Sequence, residues 1–273
     1  MSAPSASQLV IRNPVRDRIE ADEIAFGMGV RVVRSGEISL LARSSGHDFL
    51  YIDAQHAAFD LETIGRIAQT AIGVGVAPFV RVVSADDHNI PLMLDAGVLG
   101  IVAPDIVSAD QARRLVEVTK YPPVGRRSLA GMSIHNGFAP IAAGEQMRAE
   151  NEAVMLFCMI ESAAGLAALD EIAAVPGLDG LYVGLNDLLA DMGIPGRHDG
   201  PEVDEALRAV VEASARHGLV PGAGGAPFPE QQVKWIRAGI RFLMSSSDIG
   251  LVRRGGLDAI ARIRERLDAA PSR

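Results

Sequence analysis

Two carboxylates, Glu161 and Asp187, each stand just past a short apolar run, 154–160 and 180–184, with a helix-like segment between the runs. Continuous apolar runs of this length read as parallel strands buried on both faces, not as the alternating strands of a half-exposed sheet. A right-handed crossover between parallel strands returns both C-termini to one edge of the sheet, so the two acids are expected to meet there. Oxygen ligands converging without cysteine favour a hard divalent cation, Mg²⁺, Mn²⁺ or a similar ion. Taken singly, each acid reads first as a helix N-cap or first-turn acid suited to the helix dipole. As a pair on successive strands they favour the metal.

Other polar residues follow apolar runs in the same way. Gln55 and His56 come after 49–53, Arg81 falls inside 77–83, Asn186 sits beside Asp187, and Ser246 and Asp248 close 242–246. A histidine just past a buried strand is placed for proton transfer, and equally for capping or packing in a loop. His47, His88, His198 and His217 lie next to helix ends or in loops and are expected to be solvated. A charge inside an apolar run is costly unless paired. Arg81 therefore reads either as half of an ion pair, with Asp53 as the candidate partner, or as a guanidinium aimed at a carboxylate or enolate oxygen. The glycine-rich 222–225 could hold a phosphate or let any ligand approach the backbone closely.

These residues need elements to position them. The apolar runs 25–33, 49–53, 77–83, 100–104, 154–160, 180–184, 219–222 and 242–246 make eight, and helical spacing lies between most of them. Asp60 and Ser108 are expected N-caps, Ser108 with Gln111 as a capping box, and Pro91 belongs in the first turn of its helix. Further helices are expected over 35–45, 201–217, 231–238 and 257–267, with a short helical lead-in at 13–18. Eight βα units without a visible break predict an α/β protein with a (β/α)8 TIM barrel, one domain over 1–273. An open doubly wound sheet is the alternative, disfavoured by the missing Gly-rich fingerprint after the first strand. In a barrel the site lies at the strand C-termini, where the residues above are found. The connection 121–144 is long enough to be functional or an interface element.

Composition narrows the rest. The 273 residues are 48% apolar, enough for a sizeable core, and the formal net charge of −8 argues against nucleic-acid or anionic-membrane binding. One cysteine, Cys158, excludes an intrachain disulfide and suits a reducing cytoplasm. No signal-like leader and no apolar run of about 18 residues is present, so no membrane span is expected. Residues 1–12 are expected to be flexible.

Tyr51-Ile52-Asp53-Ala54-Gln55-His56, Val80-Arg81, Leu94-Asp95-Ala96-Gly97, Tyr121-Pro122-Pro123-Val124-Gly125-Arg126-Arg127-Ser128, Met159-Ile160-Glu161 and Val183-Gly184-Leu185-Asn186-Asp187-Leu188 occur in this order. Together they resemble the 4-hydroxy-2-oxoheptanedioate aldolase / citrate lyase family, metal-dependent 2-oxo-acid aldolases of the phosphoenolpyruvate/pyruvate barrel superfamily, from about Asn13 to Leu267. The resemblance implies that Glu161 and Asp187 ligate Mg²⁺, Mn²⁺ or Co²⁺ and that pyruvate chelates the ion. It implies that Arg81 stabilises the enolate oxygen and that His56, oriented by Asp95, is the acid/base at the aldol hydroxyl. Gly184 and the backbone around Asn186 would bind the pyruvate carboxylate, with Gln55 beside the substrate. The implied reaction is reversible cleavage of a 4-hydroxy-2-oxo acid to pyruvate and an aldehyde. The implied assembly is a homo-oligomer, trimer or hexamer, with the C-terminal helix exchanged between subunits. Gln55 and Met159 replace a glutamate and a glutamine common in the family, and Leu185-Asn186 departs from its usual Gly-Pro-Xaa-Asp. An acyl-CoA lyase, an oxaloacetate decarboxylase and a non-catalytic barrel are the competing readings. Arg126 and Arg127 are the residues that could favour CoA.

Overall fold

A computed structural model describes residues 9–226 and 228–268. Its eight strands are β1 (Ala25–Val30), β2 (Phe49–Asp53), β3 (Ala77–Arg81), β4 (Gly100–Ala103), β5 (Met155–Ile160), β6 (Gly180–Gly184), β7 (Val220–Gly224) and β8 (Phe242–Ser247). Each pairs in parallel with the next, and β8 pairs with β1, closing a barrel. The helices around it are α1 (Pro14–Glu20), α2 (Glu37–Ser44), α3 (Leu61–Val74), α4 (Ile90–Asp95), α5 (Ala109–Thr119), α6 (Ala143–Ala153), α7 (Ala163–Ala167), α8 (Leu169–Ala173), α9 (Leu185–Asp191), α10 (Pro201–His217), α11 (Pro229–Ala238) and α12 (Asp248–Asp268). This is the TIM barrel that the apolar runs predict. Among the described residues no helix is long and apolar enough to cross a membrane.

The barrel interior is built in layers, because alternate residues of every strand face inward. The lowest layer is aromatic. The Phe242 ring stacks on Phe49 at 4.0 Å and on Phe157 at 4.5 Å, with Phe79 at 5.0 Å. Glycines make room for it: a Cβ on Gly27, Gly100 or Gly180 would sit 2.1–2.2 Å from the rings of Phe49, Phe79 and Phe157 on the neighbouring strand. Two residues further along come Tyr51, Met159 and Tyr182, all buried, with the two tyrosine rings stacked at 5.6 Å. Two further still, at the mouth, come Asp53, Glu161 and Gly184, and Arg81, only two residues past Phe79, is level with Asp53 on the neighbouring strand. Val15 of α1 belongs to this interior cluster, and a second apolar cluster fills the space between strands and helices.

Local chemistry explains several boundaries. Asn13 caps α1 by accepting from the Val15 N–H at 3.1 Å, and Asp60 caps α3 by accepting from Thr63 at 2.6 Å. Ser108 accepts from Gln111 N–H at 3.3 Å, but the Gln111 side chain reaches the Val107 N–H at 2.9 Å, one residue short of a reciprocal box. Pro91 lies at the start of α4 as its ring requires. β1 ends at Val30 instead of running to residue 33. The buried Asp248 carboxylate takes the backbone N–H groups of Arg31, Val32 and Val33 at 2.8–3.2 Å, which removes them from the ladder. β7 extends through Gly224, and α12 starts at Asp248, nine residues before the expected 257.

Helix α6 begins where the connection 121–144 ends and covers residues to which the sequence reading gave no element. Its buried face is Gln146, Ala149, Glu150 and Ala153, so it has almost no apolar stripe to read. Polar partners hold it: Gln146 donates to Glu150 at 3.0 Å, Tyr121 Oη donates to the other Glu150 oxygen at 3.1 Å, and Arg127 lies 3.3 Å from that oxygen. Residues 1–8, part of the lead expected to be flexible, lie outside the described residues. Leu9 is tied to α6 through Glu145 and Arg148. Helix α12 runs away from β8 with Val252 74% exposed and Leu257, Ile260, Ile263 and Leu267 also uncovered.

Candidate active site

The strand C-termini surround a cavity of about 380 Å³, small for a ligand pocket. Glu161, Asp187, Arg81, His56, Gly184 and Asn186 all line it, together with Arg31, Asp53, Tyr51, Met159 and Tyr182. Six of the eight residues singled out from sequence therefore come together. Gln55 lies beside His56 without lining the cavity, and its Oε1 is buried without a hydrogen-bond partner.

Asp95 does not join them within the chain. Helix α4 runs back from the mouth toward the start of β4, so its last residue lies at the opposite end of the barrel. There the Asp95 carboxylate accepts from Arg127 Nη2 at 2.5 Å. The expected orientation of His56 by Asp95 is thus not made in this chain. Instead the His56 backbone N–H donates to Asp53 Oδ1 at 3.1 Å, which fixes the turn that holds the imidazole. Arg127 is buried and held by Asp95 and Glu150, so it is not free for the diphosphate of a CoA.

Arg81 is paired with Asp53, as one reading of its sequence position required. Its Nε and Nη2 donate to the two Asp53 oxygens at 3.0 and 2.7 Å, from the matched position on the next strand. A two-point bond of this kind fixes the guanidinium plane. Burial works against the charge of Arg81, but Tyr51 and Asp53 outweigh it and raise its pKa further. Burial likewise pushes Asp53 upward, and the bonds from Arg81 and His56, with Arg31 nearby, bring it below its ordinary value. The pair is ionised.

Glu161 is only 3% exposed. Its Oε1 accepts the backbone N–H of Asp105 at 2.8 Å, and Asp105 holds a left-handed backbone, φ 55°, at that point. Its Oε2 is buried with no hydrogen-bond partner. Burial pushes the Glu161 pKa up to about 7, and the Asp105 and Asp187 carboxylates add to the rise. Gly184 is required beside it, since a Cβ there would lie 2.2 Å from Oε2. Asp187 is in the first turn of α9, exposed, and accepts no hydrogen bond among the described residues. It is a first-turn acid and a cavity residue at once.

Unpartnered carboxylate oxygens at one cavity, one of them buried, are the donor set a hard cation takes. Glu161 and Asp187 fit such an ion. Among the described residues no three acidic, histidine or cysteine side chains are grouped so as to hold a metal ion by themselves, so an ion here would complete its coordination with substrate and water.

Other residues near the mouth are occupied differently. Asp248 is held by the backbone of 31–33, and Ser246 bonds His47 Nε2 at 2.9 Å, whose Nδ1 meets Ser45 at 2.9 Å. His47 is therefore half-buried, not solvated, and burial lowers its pKa. Gly224 lies so close to Tyr182 that a Cβ would meet its hydroxyl at 2.0 Å, so the glycine run serves close packing. Sequence reading passed over Arg31, Tyr51, Tyr182 and Asp105. Arg31 carried the same signal as Arg81, a charge within an apolar run, but the run was read as strand throughout.

A closed parallel barrel brings an acid pair, a clamped arginine and a histidine to one mouth, and the proteins it is similar to are aldolases, carbon–carbon lyases. A family model described as HpcH/HpaI aldolase/citrate lyase matches residues 38–222, more than half of the chain, and the chain belongs to that family. It is 32% identical over 269 residues to the 4-hydroxy-4-methyl-2-oxoglutarate aldolase of Hapsidospora irregularis, covering 95% of this chain and 98% of the relative. It is 31% identical over 252 residues to a hydroxypyruvate/pyruvate aldolase of Delftia acidovorans, covering 92% and 93%. The crystal structure of an HpcH/HpaI aldolase from Desulfitobacterium hafniense DCB-2 superposes with a TM-score of 0.87 at 27% identity, over 94% of this chain and 97% of the other.

Proposed function

We propose that this aldolase reversibly cleaves a 4-hydroxy-2-oxo acid to pyruvate and an aldehyde or ketone through a pyruvate enolate, with a divalent cation held by Glu161 and Asp187. The observation that carries the reading is the buried, unpartnered Glu161 Oε2 in the same cavity as the free Asp187 carboxylate. The names of the relatives, which act on oxo acids, agree with it.

A bound divalent ion would supply Lewis acidity that makes the keto acid's methyl protons removable. Gly184 and the backbone around Asn186 bind the pyruvate carboxylate. Arg81, its plane set by Asp53, places positive charge where the enolate oxygen develops, so little reorganisation is needed during reaction. His56 takes the proton from the C4 hydroxyl in cleavage and returns it in addition. Tyr51, Met159 and Tyr182 form a water-poor floor beneath these groups. Burial raises the pKa of both tyrosines, so they stay neutral. Burial also pushes the Cys158 thiol up to about 12, which makes it an inert core residue; a single cysteine, with no internal disulfide to form, suits our placing the enzyme in the cytoplasm. We assign it a homo-oligomeric state, with the uncovered apolar side chains of α12 seated on a neighbouring copy.

The test is exchange of pyruvate methyl protons in deuterated buffer with Mg²⁺, Mn²⁺ or Co²⁺. Exchange by the wild type and its loss in Glu161→Ala and Asp187→Ala is expected. Undiminished exchange in either variant removes the acid pair from the mechanism.

A further inference from the structure

The cavity holds a second guanidinium that the reaction as described does not use. Arg31 is the first residue past β1, and its side chain is 43% exposed. Its only side-chain partner among the described residues is Asp53, reached through Nε at 3.0 Å. Asp53 does not need it: Arg81 fills both carboxylate oxygens, and the His56 N–H adds a third bond. Within this trio one carboxylate faces two guanidiniums, so part of the positive charge of Arg31 is left unmatched by Asp53. The two terminal nitrogens of Arg31 make no hydrogen bond among the described residues.

The position of Arg31 is fixed and directional. Three successive N–H groups, those of Arg31, Val32 and Val33, are gathered by the Asp248 carboxylate, itself 3% exposed, so the backbone that bears the side chain is held from beneath. Strand order gives the direction. In the closed sequence β1 to β8, β1 lies four strands from β5 and so faces it across the barrel. Glu161 follows β5, and His56 follows β2, the neighbour of β1. The acid pair and Arg31 thus occupy opposite sides of the mouth, and the proton-handling histidine is on the Arg31 side. Arg31 is on the side where the electrophile must sit when the keto acid is held at the acid pair.

We propose that Arg31 is the receptor for a carboxylate on the acceptor, making the enzyme selective for small acceptors that are themselves carboxylic acids. This rests on the aldolase reading above and extends it to the second substrate. A guanidinium presenting paired terminal donors matches a carboxylate in two-point geometry, and arginine keeps its charge at any working pH. A phosphate would also meet a guanidinium, but a cavity of about 380 Å³ that must also hold pyruvate favours the smaller anion. A site built around a charged donor discriminates strongly against a ligand that lacks the matching group.

The experiment compares three acceptors with pyruvate as donor: glyoxylate, uncharged propanal, and glyceraldehyde 3-phosphate. The full-length chain is used as wild type, Arg31→Gln and Arg31→Lys, with pyruvate proton exchange measured on each preparation. Loss of one charge-assisted contact should lower kcat/KM for glyoxylate roughly 10- to 100-fold in Arg31→Gln, chiefly through KM. Propanal should fall much less, and Arg31→Lys should recover part of the glyoxylate loss. Equal losses for glyoxylate and propanal, or a glyoxylate KM that ignores the substitution, overturn the assignment. A wild type that prefers the phosphate-bearing acceptor, and loses that preference in Arg31→Gln, overturns the carboxylate as the group received. Absence of proton exchange in the wild type defeats the aldolase reading itself and this inference with it. Normal exchange with no acceptor selectivity defeats the inference alone.

Discussion

Glu161→Gln tests the site through stability, without any substrate. Burial raises the Glu161 pKa to about 7 in the folded chain from 4.5. An acid that resists ionisation when folded costs nothing below its unfolded pKa, where both states are protonated. Between the two values the unfolded chain releases its proton and the folded chain does not, so stability falls as pH rises. Above the folded pKa the penalty is constant. At about 1.4 kcal/mol per pKa unit, the gap corresponds to roughly 3 kcal/mol lost between pH 4.5 and 7. Glutamine keeps the shape and can still accept from the Asp105 N–H, but has no proton to lose. In metal-stripped protein, urea unfolding midpoints at fixed protein concentration should fall across this range for the wild type. The Glu161→Gln curve should be flatter by about 3 kcal/mol, and the variant should be the more stable at pH 8. A divalent ion, by favouring the ionised form, should flatten the wild-type curve and leave the variant unmoved. Parallel curves for the two proteins without metal would refute the claim that this carboxyl is buried and unsatisfied.

Other expectations concern single contacts. Gly184→Ala puts a Cβ against Glu161 Oε2; a destabilisation of about 1–3 kcal/mol and loss of proton exchange are expected, measured by urea unfolding and by NMR. Asp53→Asn leaves Arg81 without its counter-charge and should cost about 3–5 kcal/mol in unfolding free energy, since one half of a mostly buried pair is removed. His56→Ala should slow aldol cleavage more than oxaloacetate decarboxylation, because only the former moves a hydroxyl proton; equal losses argue against that role. Ile260→Asp and Val252→Asp place charge on the uncovered face of α12 and should shift the assembly to smaller species in light scattering, while an unchanged mass means that this face covers no partner.

The strands were legible because they are buried on both faces: 49–53 and 180–184 were bounded correctly from apolar content alone. The mouth residues followed from the barrel rule, and Glu161, Asp187, His56 and Arg81 do share a cavity. What was not legible depends on contacts distant in sequence. No pattern around residue 30 shows that Asp248, more than 200 positions later, ends β1 and aims Arg31. Nor does the polar buried face of α6 have a period to detect. It is stable because Arg127, Tyr121 and Gln146 satisfy Glu150, a network visible only once the fold has formed. Asp95 carried a clear motif, yet its place at the far end of α4 separates it from His56 by the height of the barrel.

The interlocked phenylalanines and the tyrosine pair above them plug the bore from below. Reactants therefore have one door. A flat intermediate resting on that plug has its underside shielded, so a newcomer can approach it from the open side alone. The enolate carbon carries two hydrogens, so this shielding fixes the side from which the newcomer arrives but no configuration; the hand of the new alcohol carbon follows from how the groups at the rim turn the incoming carbonyl.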